Sequence, residues 1–295
     1  MSERVKILAH AKANLFLRVL AREASGFHSI ETLFVLLELA DEITVERIAS
    51  GVELVVRGAE TGPVEQNLAY RAARAVLAAT GGRFGVRIEL EKRIPVGAGL
   101  GGGSSDAAAT LHAVNRLAGD AVPRHEILQL AASLGSDVAF FASGAPFALA
   151  WGHGERLFRL PPPRSAPAIV VVPNFGLSTK AVYESLDAMR PRDLRRGAVA
   201  FDLEAFSTWG SIGRLGGNDL EGVVFAREPA LKALHERIAN TGPFLVRLSG
   251  SGSALFAVYR SEAVRDGAVL ELGERDYRII KTATRAEPAA GPEEV

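Results

Sequence analysis

The chain has 295 residues, with 34 Lys plus Arg against 34 Asp plus Glu, so its formal net charge is +0. That balance excludes the basic excess on which non-specific nucleic-acid or anionic-membrane binding depends, and 48% hydrophobic with 23% charged residues excludes a disordered chain. No cysteine is present, so disulfides, thiolate metal sites and a cysteine nucleophile are excluded too. The expected partners are small molecules, with no nucleic acid and no membrane. Glu3, Arg4, Lys6, Lys12 and Arg18 interrupt any signal-peptide apolar core at the start. The apolar stretch 138–154 is broken by Gly144 and Pro146 and is too short to span a bilayer. A cytoplasmic protein is the expectation.

Residues 5–20 alternate, with Val5, Ile7, Ala9, Ala11, Ala13, Leu15 and Leu17 on one face of a strand. Lys6, His10, Lys12, Asn14 and Arg18 fall on the other, which predicts Lys12 and Asn14 pointing the same way with His10 beside them. A loop over 22–28 leads to strands at 31–39 and, after Asp41, at 43–48 and 52–57. Residues 67–80 read as a helix, with Leu68, Ala72, Ala75, Val76 and Ala79 apolar and Gly81 and Gly82 as its stop. A strand at 84–90 precedes a glycine run at 95–105. Helices follow at 106–118, with Ser104 or Ser105 as N-cap, and at 125–134, closed by Gly135. Ser136 and Asp137 open a short apolar segment. The proline-rich stretch 161–167 marks the best domain boundary, giving domains 1–160 and 161–286 and a disordered tail, 287–295. The second half holds strands at 168–172, 244–248 and 255–259 and helices near 179–189, 201–206 and 229–240. Without regular β-α-β alternation, the pattern predicts an α+β fold of two lobes.

The run Pro95, Val96, Gly97, Ala98, Gly99, Leu100, Gly101, Gly102, Gly103, Ser104 and Ser105 carries no charge. Bare glycines before a helix let backbone N–H groups and the positive end of the helix dipole face an anion. Each N–H to a phosphate oxygen contributes roughly 1.5–3 kcal/mol, so several hold a polyphosphate without a basic side chain. Three readings compete. A dinucleotide fingerprint fits Gly97, Gly99 and Gly102 but lacks the following strand and ribose-binding acid. A Walker loop requires a lysine that is absent. A plain flexible turn is the third.

The glycine run resembles the phosphate loop of the GHMP kinases, which transfer the γ-phosphoryl group of ATP to small-molecule hydroxyls. The resemblance extends to Lys12 and Asn14, to Gly26, Phe27 and His28, to Gly135, Ser136, Asp137 and Val138, to residues 152–155 and 218–221, and to the closing Ser-Gly run at 249–253. It implies the two-lobed GHMP fold, with an N-terminal ATP-binding lobe and the active site between the lobes. The combination points to the branch whose acceptor carries a cytidylyl group; a homoserine- or mevalonate-type GHMP kinase is the alternative, and a non-catalytic phosphate-binding protein the third reading.

By the same resemblance Asp137 is the general base toward the acceptor hydroxyl, and Lys12 holds it ionised and stabilises phosphate charge. Taken alone, Asp137 reads as a helix N-cap and Lys12 as a solvated strand lysine. Phe27, where the family usually has Tyr, and Tyr183, beyond Thr179, are matched to rings closing on a pyrimidine, with core packing as their ordinary reading. His28 is assigned to the cytosine edge and Asn14 to a substrate hydroxyl or to Lys12. Asn67 and Lys92 are assigned to the adenine side, and residues 250–252 to closure on substrate phosphates or to a simple hairpin turn. His10, Ser136 and Ala139 depart from the family pattern without removing a reacting group. Magnesium is expected with ATP, and the sequence names no protein ligand for it.

Overall fold

The computed structural model describes residues 3–24, 26–189, 202–273 and 276–295. Strands β1 (Arg4–Arg22) and β2 (His28–Ile48) form a long antiparallel ribbon. To it are added β3 (Val52–Arg57), which runs parallel to β4 (Gly85–Glu91), and β5 (Phe147–Gly152), which pairs with both β2 and β6 (Arg156–Arg159). Helices α1 (Leu68–Ala79), α2 (Gly102–Leu117), α3 (Arg124–Leu134) and α4 (Ser136–Ser143) cover one face of this sheet. A second sheet takes β7 (Pro167–Pro173), β8 (Leu245–Leu248), β9 (Leu255–Val258) and β10 (Tyr277–Ala283) in the order β10-β7-β9-β8. Helices α5 (Thr179–Met189), α6 (Trp209–Arg214), α7 (Glu221–Arg227), α8 (Pro229–Asn240) and α9 (Glu262–Leu272) belong to this half. The expected α+β fold with two lobes is what the chain forms.

One core, with Val5, Ile7, Ala9, Phe34 and Leu36 of the sheet, lies against α1, α2 and α4. A second, with Ala11, Ala13, Leu15, Leu33, Val35 and Leu37 against Ala168, Val170, Phe256 and Val258, joins the two sheets. The long ribbon thus buries one face in each core. Helix α2 is buried nearly all round, and its run of Ala107, Ala108 and Ala109 lets its neighbours approach closely.

Several expectations are corrected. Lys12 and Asn14 do not share a face with His10. A register shift between His10 and Lys12 sets Lys12 opposite Leu36 and Asn14 opposite Phe34, on the face of Val5, Ile7 and Ala9, while Ala11 and Ala13 turn to the other core. Such an irregularity in a ladder turns the side chains after it to the other face. The strands expected at 31–39 and 43–48 are the single strand β2, continuous through Asp41. Asp41 is buried within that strand, because its carboxylate accepts from Lys92 Nζ and from the backbone N–H groups of Arg93 and Ile94. The helix expected at 106–118 begins at Gly102, with Gly101 in the left-handed region as its cap, so Ser104 and Ser105 lie in its first turn and cap nothing. The helix expected at 201–206 is a 3₁₀ turn, Leu203–Phe206, and Phe201 lies outside the described residues. The tail expected to be disordered instead adds a short strand, β11 (Glu293–Glu294), beside Val5 and Lys6. Strands β5, β6 and β10 and helices α6, α7 and α9 have no counterpart in the sequence reading, since each is short or weakly periodic. Among the described residues no helix is long and apolar enough to cross a membrane.

Candidate active site

The glycine loop turns its carbonyls inward. Leu100 O accepts from Lys12 N at 3.0 Å, Ala98 O from Ala254 N at 3.1 Å, Gly101 O from Ser105 N at 2.9 Å, and Gly99 O from Ser249 Oγ at 2.9 Å. None of the N–H groups from Gly97 to Ser104 donates a hydrogen bond among the described residues. Carbonyls satisfied inward leave a row of amide donors, continuous with the N-terminus of α2, facing a cleft of 420 Å³. Asn67, Lys92 and the loop residues Pro95 to Ser104 line that cleft. Ser105 is buried and does not line it.

Two glycines are required here by approach as well as by backbone. Gly99 has φ +80°, and a Cβ on it would stand 2.0 Å from Ser249 O; a Cβ on Gly101 would stand 2.8 Å from the Phe141 ring and 3.1 Å from Lys12 Cγ. The loop is therefore wedged between the two halves of the molecule. Its second wall, residues 249–253, is held by Asn218, whose Nδ2 donates to Leu248 O at 2.8 Å and Gly250 O at 2.6 Å. Glu221 accepts from Leu248 N at 2.8 Å, so the 218–221 motif acts by positioning that wall.

Beneath the loop lies a buried cluster. Lys92 Nζ bonds Asp41 Oδ2 and, at 2.7 Å, Asp106 Oδ2, which ties α2, just past its first turn, to β2 and to the strand end before the loop. Burial pushes the Asp106 carboxyl up to about 7, with Lys92 opposing and Asp41 adding to the rise. A group raised in the folded state contributes stability that is full below its unfolded value and is lost as pH rises through the folded one. Asp106→Asn is therefore expected to gain on the wild type, in paired urea denaturations, as pH rises from about 4 to about 7.

Lys12 projects from β1 at the inner end of the glycine loop and is only 4% exposed, which rules out a solvated strand lysine. Its Nζ donates to Asn14 Oδ1 at 2.7 Å and lies 3.5 Å from Asp137 Oδ2. Asn14 is itself fixed by Nδ2 donating to Thr32 Oγ1 at 2.8 Å, and Thr32 Oγ1 donates to Phe16 O at 2.7 Å. Burial holds the Lys12 ammonium below the ordinary lysine range, with Asp137 pulling the other way. Asp137 does not cap α4, as its type and place would suggest; Gly135 is the cap, and Asp137 lies in the first turn with its side chain 31% exposed. Its carboxylate is thereby free to face Lys12. Gly154 stands close by, where a Cβ would be 3.6 Å from Asp137 Oδ1.

Lys12 and Asp137 border a space of 300 Å³ that shares Gly99 and Gly101 with the loop cleft, and Ile30, His153, Thr179 and Tyr183 with a third cleft of 530 Å³. The third cleft is lined by Phe27, His28, Thr179 and Tyr183. Phe27 is 63% exposed and not core, its ring 5.2 Å from that of His153. Tyr183 stacks on His28 at 4.9 Å, and burial pushes its phenol up to about 12. Thr179 Oγ1 is 2.7 Å from Ser251 Oγ. Every residue singled out from the sequence as a site residue, except the buried Ser105, therefore lines one of three clefts joined through shared residues. His153 and Asp187 line these clefts without having been assigned a role, and Thr32 holds Asn14 from behind; for His153 the quoted motif at 152–155 was the available signal.

The GHMP kinases N terminal domain family matches residues 67–145, and the GHMP kinases C terminal family matches residues 200–278. A 4-diphosphocytidyl-2-C-methyl-D-erythritol kinase of Heliobacterium modesticaldum is 38% identical, over 95% of this chain and 95% of its own length. The chain belongs to the GHMP kinase family. Another relative of the same name, from Bordetella bronchiseptica, is 43% identical over 85% of this chain and 81% of its own length. A crystal structure of 4-(cytidine 5'-diphospho)-2C-methyl-D-erythritol kinase superposes on this GHMP kinase with TM-score 0.80 and 38% identity, covering 97% of this chain and 100% of its own. The L. major mevalonate kinase structure, at 16% identity and TM-score 0.72, shares the fold.

Proposed function

We propose that this GHMP kinase transfers the γ-phosphoryl group of ATP to the 2-hydroxyl of 4-diphosphocytidyl-2-C-methyl-D-erythritol, in the non-mevalonate route to isopentenyl diphosphate. The observation that carries the reading is the meeting of two unlike clefts over Lys12 and Asp137, one walled by free backbone amides and the other by aromatic rings. The amide row takes the polyphosphate, with Asn67 and Lys92 toward the base of the nucleotide. The ring-lined cleft takes the cytosine, and the middle space brings the acceptor hydroxyl to the γ-phosphate.

In that geometry Asp137 accepts the hydroxyl proton as the oxygen attacks phosphorus and the bond to the β-phosphate oxygen breaks, releasing ADP. The Lys12 ammonium neutralises charge on the moving phosphoryl group. Asn14 holds Lys12 in place from a position that leaves its own carboxamide at the edge of the space. Asp137 and the Ser104 hydroxyl would be the protein oxygens able to hold magnesium brought with ATP, which would supply positive charge against the phosphates. Domain limits of 1–160 and 161–286 agree with the passage of the chain from the first sheet to the second between β6 and β7. A cytoplasmic location suits a kinase of two small molecules.

Incubation with ATP, magnesium and the cytidylyl substrate, followed by phosphorus NMR, is expected to show ADP and a new phosphomonoester. Turnover of homoserine or mevalonate without turnover of the cytidylyl substrate would overturn the reading in favour of another GHMP kinase. Because Phe27 is exposed, Phe27→Ala should leave the fold intact and remove stacking of ~1–3 kcal/mol, raising KM for the cytidylyl substrate roughly 5- to 150-fold. KM for ATP should stay put; equal rises in both would count against a base slot at Phe27.

A further inference from the structure

The ring-lined cleft contains an acid that the transfer step does not use. Asp187 follows Tyr183 by one turn of α5, so both side chains leave the helix on the same side. Its Oδ1 lies 2.7 Å from His28 Nε2, and its Oδ2 lies 3.5 Å from Arg22 Nε. The His28 ring, 9% exposed, is meanwhile stacked on Tyr183 with an interplanar angle of 29°. The imidazole is thus held by its own strand, by a ring and by a carboxylate from the other lobe. Such a clamp leaves little freedom to turn.

A carboxylate beside a guanidinium accepts hydrogen bonds and does not donate them. The hydrogen in the contact therefore belongs to His28 Nε2. In a neutral imidazole the other nitrogen, Nδ1, then carries only a lone pair, and no hydrogen bond to Nδ1 is made among the described residues. We infer that Asp187 is a positioning residue that sets base choice: by holding His28 with its hydrogen on Nε2, it makes Nδ1 an acceptor that pairs with the 4-amino group of a pyrimidine and rejects a 4-oxo group. The inference rests on the reading of this cleft as a nucleobase slot. Its physical basis is the asymmetry of mispairing. Amino against lone pair makes a hydrogen bond, whereas oxo against lone pair leaves two acceptors facing each other with neither satisfied.

Two measurements test this, one without substrate. Long-range proton–nitrogen NMR of the free protein, with His28 assigned by its loss in His28→Gln, is expected to show the hydrogen on Nε2. In Asp187→Asn, whose near-isosteric amide presents either an acceptor or a donor, the pattern should become mixed. A hydrogen on Nδ1 in the wild type, a doubly protonated ring, or an unchanged pattern in the variant overturns the inference. This arm stands even if the cytidylyl substrate is not turned over, an outcome that would overturn the proposed function alone. The second measurement is kcat/KM on cytidylyl and uridylyl forms of the acceptor. Asp187→Asn is expected to cut the preference for the cytidylyl form by about ten-fold or more, with KM for ATP unmoved. Equal losses on both acceptors, with the preference intact, would mean that Asp187 only ties the lobes together.

Discussion

Asp137→Asn is expected to lower kcat by about 10²–10⁴-fold while ATP binding stays within a few-fold. The substitution keeps the size of the side chain and its place in the first turn of α4, where Gly135 supplies the cap, so the helix has no reason to change. What is lost is a group able to take the acceptor's proton. The amide row of residues 97–104 lies in the neighbouring cleft and does not depend on Asp137, so nucleotide affinity, measured by calorimetry, should persist. Lys12 would lose its only carboxylate partner among the described residues, at 3.5 Å, and keep Asn14 at 2.7 Å. With burial already holding the ammonium below its ordinary range, loss of that carboxylate lowers it further. The variant's residual rate is therefore expected to fall off at lower pH on the alkaline side than the wild type's. A variant with a near wild-type rate would remove Asp137 from the role of base.

Gly99→Ala is the second large effect expected. The new Cβ meets Ser249 O at 2.0 Å and Gly252 O at 3.0 Å. These are backbone atoms, pinned through Asn218 to Leu248 and Gly250, so no side chain can swing aside. The positive φ adds roughly 1–2 kcal/mol for a residue that carries a Cβ. The loop must back away from residues 249–253, carrying its amide row off the phosphate positions, and a displacement of about 1 Å at such a site costs on the order of 10² in kcat/KM. Gly97→Ala is the control. Its φ is +71° but nothing lies within 4 Å of its Cβ position, so it carries the conformational cost without the collision. Steady-state kinetics with ATP varied, beside thermal melts, would separate the two; equal losses in both variants would show that backbone strain and not the lobe contact matters at Gly99.

Much of the groove was legible in the sequence. Residues 95–105 stand out as a candidate anion loop, since an uncharged glycine run before a helix either offers its amides to an anion or is a plain turn, and the ordered set of short motifs selects a family that the loop alone would leave open. Legibility ended where contacts are long-range. Asp41 reads only as a break between two strands until its partners, Lys92 and the amides of Arg93 and Ile94, turn it into a buried anchor. Asp187 carries no motif, and its importance comes wholly from His28, 159 positions away. Lys12 shows the subtler case. Strict alternation places it opposite Ala9, and the register shift after His10 places it on the same face.

The sequence by itself determined the chemistry on offer: no net charge to gather anions in bulk, no thiol, and one loop rich in amide donors, with a lysine and an aspartate to act on what it holds. Local spacing suffices for that, because backbone donors and helix periodicity are properties of consecutive residues. Only the tertiary structure decided which of these groups meet. The face that Lys12 presents depends on how β1 pairs with β2. The approach of residues 249–253 to Gly99, and the joining of the amide-lined and ring-lined clefts over Asp137, depend on two sheets packing through one shared core. Periodicity says which side chains turn inward, and it does not say which distant residues will be waiting there.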